Sequence, residues 1–176
     1  LIKKIQNLKQ DKNNLSFMII ASVSENKDFE KRISITPEIS KKYINLGFEV
    51  HLSQNYGAHL GFSDSEYKEV GVKIVGDENQ LLENADVIIQ MSLLNENKTS
   101  LLKSNQTLIG VLNPYENKKI LDELIKNKIN LFSLEMLPRI TRAQSMDILS
   151  SQANLAGYKA VLEAFSVFEK AIPMMM

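Results

Sequence analysis

Short apolar runs of the kind that form β-strands alternate along this chain with longer runs of helical spacing. The strand-like runs are predicted at about residues 18–23, 48–53, 72–75, 86–91, 106–112 and 130–134. Helices are predicted between them at about residues 37–46, 64–70, 77–84, 95–104 and 116–127. Parallel strands need such crossover helices, so the alternation is typical of α/β proteins. We expect a three-layer, Rossmann-like or flavodoxin-like α/β domain with a mainly parallel sheet.

A long final helix, predicted at about residues 147–171, departs from this rhythm. Its apolar residues cover more than one narrow stripe, so we expect it to have neighbours on more than one side. Gly157 inside it lowers helix propensity and suggests a close approach of backbone or ligand.

We predict three regions along the chain. Residues 1–17 form a flexible extension, 18–146 the α/β domain, and 147–176 an interdomain helix with the truncated start of a further domain. Met18 opens the first apolar run and is a candidate natural start. The sequence closes on three methionines, which suggests that the natural chain continues.

The composition excludes several classes of function. Lysine plus arginine and aspartate plus glutamate are equal in number, 21 each, so we expect binding neither to nucleic acid nor to an anionic membrane surface. The absence of cysteine excludes disulfides, thiolate metal sites and cysteine nucleophiles. His51 and His59 lack the spacing of a metal site, and we assign them packing or surface roles. No apolar stretch could span a bilayer and no signal peptide is recognisable, so we predict a cytoplasmic location.

Arginine is used sparingly and locally. The chain has eighteen lysines but three arginines, namely Arg32, Arg139 and Arg142. Arginine differs from lysine by its planar donor fork, which matches planar or anionic groups. The arginines therefore indicate such a ligand, with a structural salt bridge as the alternative.

Two of the arginines lie in PRITRAQSMD, residues 138–147, between a predicted strand and the final helix. Open α/β sheets bind ligands at this end of their strands. Thr141 and Gln144 match a capping box, and Ser145 or Asp147 could equally cap the helix. For Thr141 and Ser145 alone we favour capping.

Capping does not explain why Arg139, Gln144 and Asp147 occur together. They offer a cationic donor, an amide that both donates and accepts, and an anionic acceptor. These groups could satisfy both ends of a carboxamide such as that of nicotinamide.

Longer motifs carry a resemblance to a known family. EMLPRITRAQSMDILSSQANLAGYKAV, followed by AIPMMM, is similar to the NAD(H)-binding component, the alpha subunit, of proton-translocating NAD(P) transhydrogenases. DFEKRISITPE and LGFEVHLSQNYGAHLGFSDSEY resemble the opening of the wider alanine dehydrogenase and transhydrogenase family. The resemblance implies hydride transfer between NADH and NADP⁺ without a metal. NADP(H) would be bound by a separate component, and the partners would be that component and a membrane proton channel. It also implies a homodimer held at the inner membrane through partner subunits.

The resemblance implies roles for particular residues. Arg139, Gln144 and Asp147 would contact the nicotinamide ring as catalytic and cofactor-binding residues, with Ser150 and Tyr158 as weaker candidates. Arg32 falls where alanine dehydrogenases hold the carboxylate of their substrate.

Three departures from the family pattern bear on the chemistry. Asn113 stands where alanine dehydrogenases have a catalytic histidine, and Gln90 stands where family members commonly have lysine, so amino-acid oxidation would lack its acid–base groups. Transfer of a hydride between two nicotinamide rings needs mainly proximity and orientation.

The fingerprint GxGxxG is absent. It would belong to an NAD-binding Rossmann domain following Met176, so we expect this fragment alone to be inactive and to bind NAD(H) weakly.

Two other functions stay open. The chain could belong to an alanine dehydrogenase-like amino-acid oxidoreductase, which Arg32 supports. It could also be a catalytically silent module that docks to a partner through its broadly apolar final helix.

Overall fold

The computed structural model describes residues 17–171. The chain divides into two compact units, Leu1–Ser133 and Leu134–Met176. The predictions made for residues 1–16 and 172–176, including the flexible extension and the closing methionines, lie outside the described residues. The predicted domain boundary between residues 146 and 147 stays a prediction.

The first unit is built on a six-stranded sheet. Its strands are β1 (Ile19–Ser22), β2 (Glu49–Ser53), β3 (Lys73–Val75), β4 (Val87–Ser92), β5 (Thr107–Val111) and β6 (Asn130–Ser133). All neighbouring strands pair in parallel, in the order β3-β2-β1-β4-β5-β6. The order reverses between β1 and β4, and in open α/β sheets such a topological switch point opens a crevice at the carboxyl ends of the strands.

α-Helices connect the strands and cover both faces of the sheet. They are α1 (Pro37–Asn45), α2 (Asp64–Glu69), α3 (Glu78–Asn84), α4 (Glu96–Thr99) and α5 (Lys118–Lys126). Side chains alternate along β1, so Ile20 belongs to one apolar cluster and Ala21 to the other. Helices α1 and α2 pack on the cluster of Ile20, and α3 and α5 on that of Ala21. The predicted three-layer α/β fold with a parallel sheet is confirmed.

Helix α4 is much shorter than the predicted helix at 95–104, which is therefore wrong in its extent. The hydroxyls of Thr99 and Ser100 donate to the carbonyls of Glu96 and Asn97 at 3.0 and 2.8 Å. Such local bonds compete with helical backbone bonds and favour helix ends. The apolar spacing that predicted a longer helix instead places Leu102 in the core.

The second unit consists of two short 3₁₀ helices and one long α-helix. The 3₁₀ helices are Leu134–Met136 and Thr141–Met146, and α6 spans Ile148–Val167. Large apolar side chains are exposed on several sides of α6, including Leu155, Val161 and Phe165. A Cβ added at Gly157 would meet no described atom within 4 Å, so no close approach of backbone between residues 17 and 171 explains this glycine. Within residues 17–171, no helix combines the length and apolar character that a membrane span requires.

Candidate functional site

The loop of residues 138–147, here called the arginine loop, contains the longer 3₁₀ helix and ends at the first turn of α6. The Ala143 N–H donates to the Ile140 carbonyl at 2.9 Å, and the Asp147 N–H to the Gln144 carbonyl at 3.3 Å. Ala143 is buried, whereas most other side chains of the loop are exposed. These hydrogen bonds hold the turns of the loop itself, with Ala143 packed inward and the polar side chains at the surface.

Asp147 is the N-cap of α6. Its Oδ1 accepts from the Ser150 N–H at 3.0 Å, and its Oδ2 accepts from the Ser150 hydroxyl at 2.6 Å. The 3₁₀ helix has no side-chain cap. The capping roles favoured for Thr141 and Ser145 are therefore wrong, and the alternative, Asp147, is the cap.

Arg139 and Asp147 lie side by side. Arg139 Nε is 4.0 Å from Asp147 Oδ2, and the Arg139 side chain is 69% exposed against 16% for that of Asp147. The hydrogen bonds from the Ser150 hydroxyl and N–H, and then the charge of Arg139, lower the pKa of Asp147 below its usual range. Asp147 is therefore an anion at neutral pH, fixed in orientation by Ser150.

The side chains of the other two predicted residues of this unit are not hydrogen-bonded to that group. The side chains of Gln144 and Tyr158 are exposed and make no hydrogen bond with any residue between 17 and 171. The structure thus brings Arg139, Asp147 and Ser150 together and leaves the amide of Gln144 available.

Arg32 belongs to the first unit and is held by a carboxylate that the sequence interpretation missed. Its Nε donates to Glu30 Oε1 at 2.8 Å and its Nη2 to Glu30 Oε2 at 2.6 Å. These hydrogen bonds are the largest cause lowering the pKa of Glu30. Glu30 precedes Arg32 by only two residues, and this short spacing could have predicted the ion pair from the sequence. A structural ion pair, the alternative role for Arg32, is present.

Gln90 is buried at the carboxyl end of β4 and links it to β1. Its Oε1 accepts from the Ser22 hydroxyl at 2.6 Å and from the Val23 N–H at 3.1 Å, and its Nε2 donates to the Val23 carbonyl at 3.2 Å. The side-chain amide thus stands in for a peptide group and extends the pairing of the two strands. It has no charge with which to bind a substrate anion or move a proton.

Glu25 makes a second bridge across the same switch point. Its Oε1 accepts from the Met91 N–H at 2.6 Å and from the Ser92 N–H at 3.3 Å, and its Oε2 accepts from the Ser92 hydroxyl. The crevice where many α/β proteins bind ligands is therefore spanned by side chains of the chain itself. Sequence patterns did not indicate this, because Glu25 and Ser92 are far apart along the chain.

Asn113 follows β5 in the left-handed region, with a φ of 46°. Asparagine tolerates this conformation better than most residues. Its carbonyl accepts from the Glu116 and Asn117 N–H groups at 3.0 and 2.9 Å. The residue shapes the turn after β5, and its amide cannot replace the acid–base function of a histidine.

The two histidines make local contacts. Buried His51 has Nε2 3.1 Å from Glu49 Oε2, and His59 has Nε2 2.7 Å from the Lys31 carbonyl. Among residues 17–171, no group of three or more histidine, cysteine, aspartate or glutamate side chains could hold a metal ion.

Comparison with known proteins agrees with the resemblance seen in the motifs. Residues 22–156 match the family described as alanine dehydrogenase/PNT, N-terminal domain. The chain is 40% identical over 164 residues to an NAD(P) transhydrogenase subunit alpha protein of Rhodospirillum rubrum, covering 90% of this chain and 43% of that protein. It is 28% identical over 145 residues to alanine dehydrogenase 1 of Staphylococcus aureus, covering 82% of this chain and 38% of that protein.

A solved structure indicates the same family. The transhydrogenase from Sinorhizobium meliloti superposes with a TM-score of 0.81 at 35% identity, covering 90% of this chain and 47% of that one. The chain spans less than half the length of these relatives. The family match runs from β1 into α6 and so includes the arginine loop. The chain belongs to the alanine dehydrogenase/PNT N-terminal domain family.

Proposed function

We propose that this chain is a segment of the NAD(H)-binding component, the alpha subunit, of a proton-translocating NAD(P) transhydrogenase, in which the arginine loop positions the nicotinamide of NAD(H). The identities to the Rhodospirillum and Sinorhizobium proteins support the assignment. The observation that carries the role of the loop is that Asp147, held by Ser150, lies 4.0 Å from Arg139 in the same short loop as Gln144, whose amide makes no hydrogen bond with any residue between 17 and 171.

These residues fit the carboxamide of nicotinamide. Its oxygen needs a donor, which the exposed guanidinium of Arg139 offers, and its NH₂ group needs an acceptor. Each carboxylate oxygen of Asp147 accepts one hydrogen bond from Ser150 and has a further lone pair available. Gln144 can donate and accept. Ser150 fixes the carboxylate, so that less orientational freedom is lost when the carboxamide binds.

The loop is suited to positioning rather than to proton transfer. Its carboxylate, Asp147, has a lowered pKa and is therefore a poor base near neutral pH. Bound NAD(H) supplies the hydride chemistry. The protein needs to hold the ring at the right distance and angle, and such placement can contribute several kcal/mol to lowering a barrier, roughly 7–11 in favourable cases.

The remaining regions of the enzyme would lie outside this chain. The greater length of the relatives leaves room for the NAD-binding Rossmann domain that would hold the pyrophosphate. Helix α6, with its exposed apolar sides, would be the interdomain helix covered by that remainder. The partners would be an NADP(H)-binding component and a membrane proton-channel component, with the assembled subunit acting as a homodimer at the cytoplasmic face of the inner membrane.

An alanine dehydrogenase-like function is the second candidate, because half of the Arg32 side chain is exposed at the place expected for a substrate carboxylate. Its guanidinium is, however, already paired with Glu30. Gln90 and Asn113 also leave the first unit without the lysine and histidine of that chemistry.

A chimaeric subunit decides between the two functions. This chain replaces the matching segment of the Rhodospirillum rubrum alpha-subunit protein, which is then assembled with the other components of that enzyme. We expect reduction of an NAD⁺ analogue, 3-acetylpyridine adenine dinucleotide, by NADPH. NADH oxidation that depends on pyruvate and ammonium, without this transhydrogenation, would instead establish the alanine dehydrogenase-like function.

A further inference from the structure

The 3₁₀ helix of the arginine loop presents its side chains in three columns, because such a helix has about three residues per turn and residues i and i+3 lie above one another. Ala143 is buried and marks the inward side at the start of this helix, whereas Met146, one turn further along the same column, is half exposed. Thr141 and Gln144 form one outer column, and Arg142 and Ser145 form the other. The two outer columns can therefore contact different portions of a ligand.

We propose that the column of Arg142 and Ser145 binds a phosphate group of one of the two dinucleotides that exchange the hydride. The inference rests on the proposed transhydrogenase function and adds a second contact to the same loop. Arg142 would bind the negatively charged phosphate, while Arg139 and Gln144 would form hydrogen bonds with the carboxamide.

Arg142 differs from the other two arginines in having no partner among the residues that the structure describes. Arg32 donates to Glu30, and Arg139 lies 4.0 Å from Asp147. Arg142 is exposed and makes no hydrogen bond or ion pair with any residue in the described range 17–171. Within that range its guanidinium is available to a ligand.

The charge of the loop is concentrated at the same residue. Its charged side chains are Arg139, Arg142 and Asp147, which leave a net charge of one positive unit. Because Arg139 stands beside Asp147, the excess positive charge lies at Arg142. An anion approaching the loop would be attracted to this column.

Ser145 adds a hydroxyl donor to the column. It does not cap α6, and its hydroxyl makes no hydrogen bond within the described part of the chain. A guanidinium and a hydroxyl supply donors and no anionic acceptor, which matches phosphate oxygens. A carboxamide needs an acceptor as well, and that requirement is met in the other column by Gln144.

The test uses the chimaeric subunit assembled with its partner components. We measure KM for NADPH and for 3-acetylpyridine adenine dinucleotide separately in the variants Arg142→Gln, Arg142→Lys and Ser145→Ala. Lys159→Gln is the matched control, because it removes an exposed cation of the same unit that is paired with Glu163 on α6.

For Arg142→Gln we expect KM of one dinucleotide to rise about tenfold or more, as for loss of a charge-assisted hydrogen bond, with kcat within about twofold. A rise in the KM of the NAD⁺ analogue would show that the bound phosphate belongs to NAD(H). A rise in the KM of NADPH would show that it belongs to NADP(H). The same KM should increase with ionic strength in the unsubstituted enzyme and lose most of that dependence in Arg142→Gln. Arg142→Lys should retain some of the affinity, Ser145→Ala should raise the same KM less, and Lys159→Gln should match the unsubstituted enzyme.

Unchanged KM values and salt dependence in both Arg142→Gln and Ser145→Ala would overturn the proposal. A fall in kcat alone would also overturn it, because it would assign these residues to ring positioning. If Arg142→Gln fails to fold, the KM values of Ser145→Ala decide. An inactive unsubstituted chimaera would refute the proposed function itself, whereas normal activity with unaffected variants would refute only the phosphate contact.

Discussion

Asp147 combines a structural and a proposed functional role in one carboxylate. As the N-cap of α6 it accepts two hydrogen bonds from Ser150, and it is the carboxylate nearest to Arg139 in the arginine loop. On sequence grounds, capping and ligand binding are alternative explanations for the residues of this loop. The structure shows that capping fixes the carboxylate without using up its acceptor capacity.

The titration of Asp147 should report this arrangement. The Ser150 hydroxyl is the largest cause of its lowered pKa and Arg139 a smaller one, so Ser150→Ala should raise the pKa of Asp147 more than Arg139→Gln does. Because the folded pKa is depressed, the stabilisation from the carboxylate is present above its unfolded pKa of about 3.9 and is lost as pH falls through the folded value. NMR titration of the Asp147 carboxyl carbon measures all three values. A larger shift in Arg139→Gln, or an ordinary pKa in the unsubstituted chain, would refute the geometry.

Gln90 should matter for stability far more than an exposed glutamine. Gln90→Ala removes three hydrogen bonds and leaves buried polar groups of Val23 without a partner, which should lower the free energy of unfolding by about 3 kcal/mol. Exposed Gln54 is the control, and Gln54→Ala should stay within about 0.5 kcal/mol of the unsubstituted chain. Urea denaturation followed by circular dichroism compares them. Equal losses in the two variants would show that Gln90 does not link the strands.

At the scale of elements, apolar periodicity predicted all six strands and the long final helix, because the pattern that specifies each element lies in residues close together in the sequence. It failed for α4, where hydroxyl groups compete for backbone carbonyls. It also could not predict the pairing of Glu25 with Ser92, which depends on the order of strands in the sheet. Glu30 beside Arg32 was within reach of sequence reasoning, whereas the sequence alone does not decide which of several residues caps α6.

Two glycines should respond in opposite ways to alanine. A Cβ at Gly110 in β5 would lie 2.5 Å from the carbonyl oxygen of Gln90, so Gly110→Ala must displace backbone and should destabilise the first unit by about 2 kcal/mol or more. A Cβ at Gly157 in α6 meets no described atom within 4 Å, so Gly157→Ala should stabilise the helix by about 1 kcal/mol. Thermal unfolding and helical circular dichroism distinguish the two. A neutral Gly110→Ala would contradict the close approach of β4 and β5.

At the scale of the whole molecule, the fold was predictable and the site only in part. Alternating strands and helices specify a parallel α/β unit with few alternatives, and the family match confirms the resemblance. The arginine loop was recognisable because its unusual residues are contiguous in the sequence. Which of them interact was not recognisable, because that depends on how the loop folds. Asp147 lies near Arg139, whereas the side chain of Gln144 makes no hydrogen bond with any residue between 17 and 171.

The role of the arginine loop in positioning nicotinamide is tested most directly at Gln144. The measurement is single-turnover hydride transfer by the assembled chimaeric subunit, together with its dissociation constant for NADH, in Gln144→Ala and in Gln54→Ala as the control. We predict that Gln144→Ala slows hydride transfer by about 100-fold while NADH binding changes by less than about threefold, because misplacement of the ring raises the barrier to transfer. Hydride transfer in Gln144→Ala as fast as in the control would contradict this role for the loop.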